Sequence, residues 1–241
     1  MKERKKLRLK KWLSALTAGV LLSTTLVFAG VANAEGKTST MADESIYDLL
    51  VDRFFNGTGK NDDEQVNAKD PEMFAGGDLD GLVKKVDYVA NMGYTVISIG
   101  SVFATEKYDG SLITSYEAIE PHFGTEEQLQ NAINTYQNRD MKMMVDFPIS
   151  NVSPNHEWAS QADFVASTNE QIQWDLSNSA VQDQLIESAV AFVSKYGVDG
   201  VRVTNIEAAD TVFLNRLIDA LKAAKSELYV ITNGESDANF D

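Results

Sequence analysis

Tyr196-Gly197-Val198-Asp199-Gly200-Val201-Arg202-Val203-Thr204-Asn205 is the stretch on which the fold turns. Its second half, Gly200–Asn205, is a Val-rich run of strand length bounded by Gly and Asn. Before it, Val181, Leu185, Ala189 and Val193 recur at helical spacing, and after it Phe213, Leu217 and Leu221 do the same. Working outward, further strand-length runs lie at Ile46–Phe54, Thr95–Gly100, Lys142–Pro148 and Leu228–Thr232. Between them fall a stripe of Leu82, Val86 and Val89, and another of Leu129 and Ile133 behind a capping box at Thr125 and Gln128. Strands alternating with amphipathic helices predict an α/β fold with a parallel sheet covered on both faces. Periodicity does not separate an open doubly wound sheet from a barrel. No Gly-rich phosphate loop follows the first strand, which weighs against nucleotide binding. Residues 149–175 read as a long connection with little periodicity, the kind of segment that is functional or mobile.

The chain's start has the form of an export signal. Lys2, Arg4, Lys5, Lys6, Arg8, Lys10 and Lys11 precede an apolar stretch from Trp12 to Val31, and Ala32-Asn33-Ala34 fits the small-x-small cleavage rule. The competing reading is an uncleaved anchor. Residues 35–44 are small and polar and read as a disordered leader. Cleavage after Ala34 would leave 207 of the 241 residues, ample for one core. It would also remove seven cations and one anion, taking the formal charge from −15 to −21. Such a charge argues against nucleic acid and anionic membrane as partners and favours cations. With no cysteine and two histidines, disulfides, thiolate chemistry and zinc are poor candidates.

Several segments, in order, resemble the alpha-amylase family of glycoside hydrolases. Val51-Asp52-Arg53-Phe54-Phe55-Asn56-Gly57 resembles the family's first strand and following loop. Gly76-Gly77-Asp78-Leu79 resembles the opening of its first long helix, and Met92–Ile97 the approach to strand two. Ile119–Thr125 resembles the loop before the next helix. Asp146-Phe147-Pro148-Ile149-Ser150-Asn151-Val152-Ser153 stands where the family has Asp-x-x-x-Asn-His-Thr-Ser. Gly200–Asn205 resembles strand four, and Asn233-Gly234-Glu235 the end of strand five. The resemblance covers residues 45–241 and implies a (β/α)8 TIM-type barrel of which about the first five strands are present. The segments of strands six to eight, one of which carries the family's third carboxylate, are not in this sequence.

Position by position, the resemblance implies Glu235 as general acid, with Arg202 and Asp146 retained beside it. Retaining hydrolysis needs a second carboxylate about 5–5.5 Å away as nucleophile, and that position holds Thr204. A neutral hydroxyl cannot steady an oxocarbenium-like centre as a carboxylate does. Asn205 is an amide, and Glu207 and Asp210 lie further on, where helix N-termini favour acidic residues anyway; Glu207 is the replacement base to test. The family's Asn-His pair is Ser150-Asn151, and its Tyr-His-Gly-Tyr-Asp aligns with Tyr108-Asp109-Gly110-Ser111-Leu112. Tyr108 and Asn151 remain as candidate substrate contacts, and Trp158 and Trp174 could stack on sugars or serve as core. Asp146 and Arg202 could equally be a structural ion pair.

The resemblance also implies calcium beside strand one. Asn56, Thr58, Asn61 and Asp62, then Gly76 and Asp78, follow the family's ligand order, with Thr58 in a place usually held by Asn or Asp. Calcium takes six to eight hard oxygens; an Asn/Gly-rich turn without metal is the alternative. The expectation is a secreted protein of alpha-glucan metabolism, impaired in hydrolysis. An active hydrolase or transglycosylase using Glu235, and a non-catalytic glucan- or protein-binding pseudoenzyme, are the alternatives. Its partners would be an alpha-glucan or maltodextrin, with no nucleic acid and no membrane after cleavage.

Overall fold

The computed structural model describes residues 40–168 and 171–241. The signal-peptide reading at 1–34 and the first half of the leader lie outside these residues. Strands β1 (Ile46–Leu49), β2 (Val96–Ile99), β5 (Lys142–Pro148), β8 (Gly200–Thr204) and β9 (Tyr229–Thr232) form a five-stranded sheet in that order. Every pairing is parallel, with Asp48 opposite Ser98, Asp146 opposite Arg202 and Val203 opposite Thr232. Two antiparallel hairpins stand apart from the sheet: β3 (Phe103–Thr105) with β4 (Ile113–Ile119), and β6 (Val165–Thr168) with β7 (Ile172–Trp174).

The helices are α1 (Val51–Phe54), α2 (Leu79–Lys84), α3 (Val86–Asn91), α4 (Glu126–Gln137), α5 (Ser179–Tyr196) and α6 (Thr211–Ala224). The capping box expected at Thr125 forms: its hydroxyl accepts from the Gln128 N–H, and the Gln128 side-chain Oε1 accepts from the Thr125 N–H. Two expectations need correction. The run Ile46–Phe54 is a strand only to Leu49, because the buried Asp52 carboxylate draws the N–H groups of Ala75 and Gly76 and turns the chain into α1. The stripe Leu82, Val86, Val89 is two short helices that meet at Lys85, whose backbone leaves helical geometry (φ −106°, ψ 8°).

Alternate strand residues divide between two faces. Ile97, Ile99, Val145, Phe147, Val201 and Val203 face the helices and are fully buried among Leu129, Ile133, Leu185, Phe213 and Leu217. The opposite, concave face carries a smaller apolar cluster of Val96, Met144 and Tyr229, against which Ile231 and Met41 pack. Met41 explains the order seen in residues 40–44, which composition had assigned to the leader. Thr40 caps a 3-10 turn over Met41–Asp43, and the buried Glu44 carboxylate pairs with Lys142 at 2.6 Å. At the other end of the sheet, Asp241 runs beside β9: its N–H donates to the Val230 carbonyl, and its carboxylate accepts from the Val230 N–H.

Candidate functional site

In a parallel β/α sheet the chemistry gathers at the C-terminal strand ends. Asp146, two residues before the end of β5, and Arg202, two before the end of β8, are neighbours by register. Arg202 Nε donates to Asp146 Oδ1 at 2.6 Å and Nη2 to Oδ2 at 2.9 Å, a bidentate pair. The guanidinium also reaches across the concave face to β1, where Nη1 and Nη2 donate to the two oxygens of Asp48 at 3.1 Å each. Burial works against the Arg202 charge, but the two carboxylates outweigh it and hold its pKa above the ordinary value. Burial pushes the Asp146 carboxyl up; Arg202 pulls it down and Asp48 adds to the rise.

Thr204 closes β8 opposite Pro148, and its side chain is nearly buried. Beyond the strand ends the backbone turns sharply. Asn151 and Asn205 both lie in the left-handed region (φ 59° and 60°), where a short amide side chain is tolerated. The Asn205 amide donates to the Ser150 carbonyl and ties the two turns together. Glu235 lies past β9 and is exposed, as is Glu207 in the turn after β8. Tyr108 lies under the Arg53 guanidinium, 3.7 Å from its ring centre, so this face of the ring is covered.

Trp158 and Trp174 are buried. They surround His156 together with Tyr116, all three ring centres lying 4.9–5.1 Å from that of the imidazole. His156 Nδ1 accepts from the Trp158 N–H, and burial lowers its pKa to about 4, so the ring is neutral at pH 7. His122 is the opposite case. Burial lowers its pKa, but the Glu120 and Asp63 carboxylates at 2.6 and 3.1 Å raise it further than burial depresses it.

The six residues of the expected calcium site gather at one end of the sheet but play different parts. Asp78 is the N-cap of α2. Its Oδ1 accepts from the N–H of Gly81 and Gly57, and its Oδ2 from that of Thr58. It is thus a clamp on the backbone, and Thr58 contributes its N–H to that clamp. Asn56 accepts from the Gly59 N–H and donates to Asp62 Oδ2 at 2.7 Å. Gly76 (φ +89°) lies against both: a Cβ there would meet Asn56 Nδ2 at 2.6 Å and Asp62 Oδ1 at 3.0 Å. Asn61 donates to the His122 carbonyl, and its own Oδ1 is buried without a partner. An orphaned buried amide oxygen suits a hard cation. Among the described residues no group of three or more His, Cys, Asp or Glu could hold a metal, so a cation here would lean on amide and carbonyl oxygens.

A parallel sheet whose strands alternate with covering helices places the chain in the class of β/α-barrel folds, whose sites lie at the C-terminal strand ends. Within the class, the model of the alpha amylase catalytic domain matches residues 48–174. The chain therefore belongs to the alpha-amylase family, and its sheet is the five-stranded part of that family's (β/α)8 barrel. It is 25% identical to a cyclomaltodextrinase of Thermoanaerobacter pseudethanolicus over 82% of this chain and 40% of that protein. Among solved structures, it superposes on an Anoxybacillus alpha-amylase with TM-score 0.76 and 28% identity, over 80% of this chain and 48% of that one. The alpha-amylase of Geobacillus thermoleovorans in complex with acarbose gives 0.75 and 27%, over 83% and 48%. The chain thus spans less than half the length of these relatives.

Asp146 and Arg202 form the ion pair that the sequence offered as the structural alternative to a catalytic role, and Thr204 ends the same strand as Arg202. The sequence reading missed Asp48. The only signal was an acidic residue inside an otherwise apolar strand, which acquires meaning once curvature brings β1 opposite β8.

Proposed function

We propose that this is a secreted alpha-glucan-directed member of the family in which hydrolysis is impaired. The observation that supports this most is Thr204 at the end of β8, two residues beyond an Arg202 whose guanidinium is already bound to Asp146 and Asp48. In an enzyme where nucleophile and partners act as a unit, losing the nucleophile lowers the rate by about 10⁶. Glu207 is a poor substitute, being exposed in a turn beyond the strand. What remains is a capacity to bind a maltodextrin at the strand ends, or none. The export reading rests on the basic and apolar N-terminal segment; no described helix is long and apolar enough to cross a membrane. Calcium at Asn56, Asn61, Asp62 and the Gly76 carbonyl belongs to the same proposal, with Asp78 as clamp and Thr58 as its backbone partner.

The test is reducing-sugar release from starch and maltodextrin by the exported chain. None is expected, and Glu235→Gln should change nothing. Turnover that Glu235→Gln abolishes would overturn the proposal and restore Glu235 as general acid.

A further inference from the structure

Arg202 has five N–H donors, and the geometry accounts for four bonds from three nitrogens: two to Asp146 and two to Asp48. The second partner is unusual in its origin. In the sheet order β1-β2-β5-β8-β9, two strands separate β1 from β8. The Arg202–Asp48 pair therefore spans the concave face rather than a ladder, and it joins residues 154 positions apart. Asp146 is enclosed, with a side chain 17% exposed, whereas that of Asp48 is 55% exposed. Asp48 has thus been drawn onto the guanidinium without being forced there by burial.

We propose that Asp48 is a positioning residue: it takes, on the Arg202 guanidinium, the place of a carboxylate that position 204 lacks. This rests on position 204 being the family's nucleophile position. Residues 202 and 204 share one face of β8, since side chains alternate along a strand. A carboxylate at 204 would compete with Asp48 for the same nitrogens. With Asp48 retained, three carboxylates would crowd one guanidinium, and like charges at such distances disfavour ionisation. Asp48 and an acid at 204 are therefore alternatives, and reversing Thr204 alone rebuilds the acid in the wrong field. The other charged groups of the concave face, Lys142 and Glu44, form their own pair at its far end, beside Tyr229. Glu235 and Glu207 are exposed beyond the strands.

The experiment is a cycle on the full chain: wild type, Asp48→Asn, Thr204→Asp and the double variant. Carboxyl-carbon NMR with labelled aspartate follows the acid introduced at 204. Its pKa should lie about one unit or more above the ordinary aspartate value when Asp48 is present. Asp48→Asn should bring it down by a similar amount. Thermal melts should be non-additive, with the double variant more stable than the sum of the single changes predicts. Equal titration with and without Asp48, or strict additivity, would overturn the proposal.

Should Thr204→Asp fail to fold, Asp48→Asn alone decides. The Arg202 Nη1 protons, which Asp48 alone holds, should then exchange with solvent about tenfold faster, while the Nε proton and the Nη2 proton held by Asp146 stay protected. Nη1 protons as protected as in wild type would equally overturn it. Starch hydrolysis by the wild type bears only on the proposed function, and the coupling bears only on Asp48, so the two fail separately.

Discussion

The loop region around Asp52 and Asp78 and the strand ends around Asp146 and Arg202 both centre on carboxylates, buried in the first and half-buried in the second, but they use them differently. Asp52 and Asp78 accept from backbone N–H groups: Ala75 and Gly76 for the first, Gly57, Thr58 and Gly81 for the second. Such bonds fix the path of the main chain. Asp146 instead accepts from a side chain, and that side chain is shared with the half-exposed Asp48. The first arrangement tolerates little change because glycines pack directly on backbone. The second carries its specificity in side chains, each of which can be replaced without moving the sheet.

The comparison is most exposed to failure at Gly81. A Cβ there would meet the Phe55 carbonyl oxygen at 1.8 Å, and one at Gly77 would meet the Val51 and Asp52 oxygens at 2.1 and 2.3 Å. The obstructing atoms are backbone held by the Asp52 and Asp78 clamps, so neither side can yield. Gly81→Ala should destabilise by about 3 kcal/mol or more, the top of the usual range for overpacking. Urea unfolding measures it. A loss below about 1 kcal/mol would mean the loop has slack and the contrast with the strand ends is wrong.

Calcium is the next largest effect. Saturation a hundredfold above the dissociation constant would stabilise by about 2.7 kcal/mol. Asp62→Ala should remove that gain and leave the melt in chelator nearly unchanged. Asp78→Ala should lower the melt in chelator as well, since three backbone donors lose their acceptor, an effect of about 2 kcal/mol. Identical behaviour of the two variants would return Asp78 to the role of simple ligand. A wild-type melt indifferent to millimolar calcium would reduce the segment to a turn.

How far these contrasts were legible in sequence depends on the range of the interactions. The Thr125 capping box is visible because both partners lie within three residues. The β5 strand, Lys142–Pro148, was bounded correctly at both ends because its apolar residues, Met143–Val145 and Phe147, are interrupted only at Asp146. The hairpin Phe103–Ile119 was missed: its register shifts on either side of Ala104, so no regular alternation survives. The second hairpin was hidden in what read as a long connection. At the site, residue identities drew attention to Asp146, Arg202 and Thr204, and Asp78 stands where a helix cap is expected, yet nothing local shows that its other oxygen would bind the Thr58 N–H twenty residues away. Nor does spacing foretell an ion pair between β1 and β8, which exists only because the sheet curves.

The histidines carry the comparison into pH. The folded-state pKa of His156 lies near 4, below its unfolded value of about 6.5. The unfolded chain therefore binds more protons in between, and stability is full above pH 6.5 and falls as pH drops toward 4. His122, raised by Glu120 and Asp63, has the opposite sign: its contribution is present below the unfolded pKa and fades as pH rises through the folded one. Melts from pH 7.5 to 4.5 should fall, and His156→Phe should flatten that slope, whereas His122→Phe should steepen it. Slopes that respond alike to both changes would show that neither ring titrates as its surroundings dictate.

The smallest effect tests the tolerant half of the contrast. Asn151 holds φ 59°, a conformation glycine adopts without strain, and its side chain makes no hydrogen bond within the described residues. Asn151→Gly should therefore alter stability by no more than about 0.5 kcal/mol, the added freedom of the unfolded chain roughly offsetting the relieved backbone. Asn205 shares the conformation but donates to the Ser150 carbonyl, so Asn205→Gly should lose about 1 kcal/mol more than its neighbour. The pair is a matched control, since the backbone term is common and only the hydrogen bond differs. Equal losses would mean that the Ser150 contact contributes nothing. A large loss at Asn151 would mean that its side chain has work at the strand ends, and a maltodextrin titration of Asn151→Gly against wild type would then show whether that work is sugar binding.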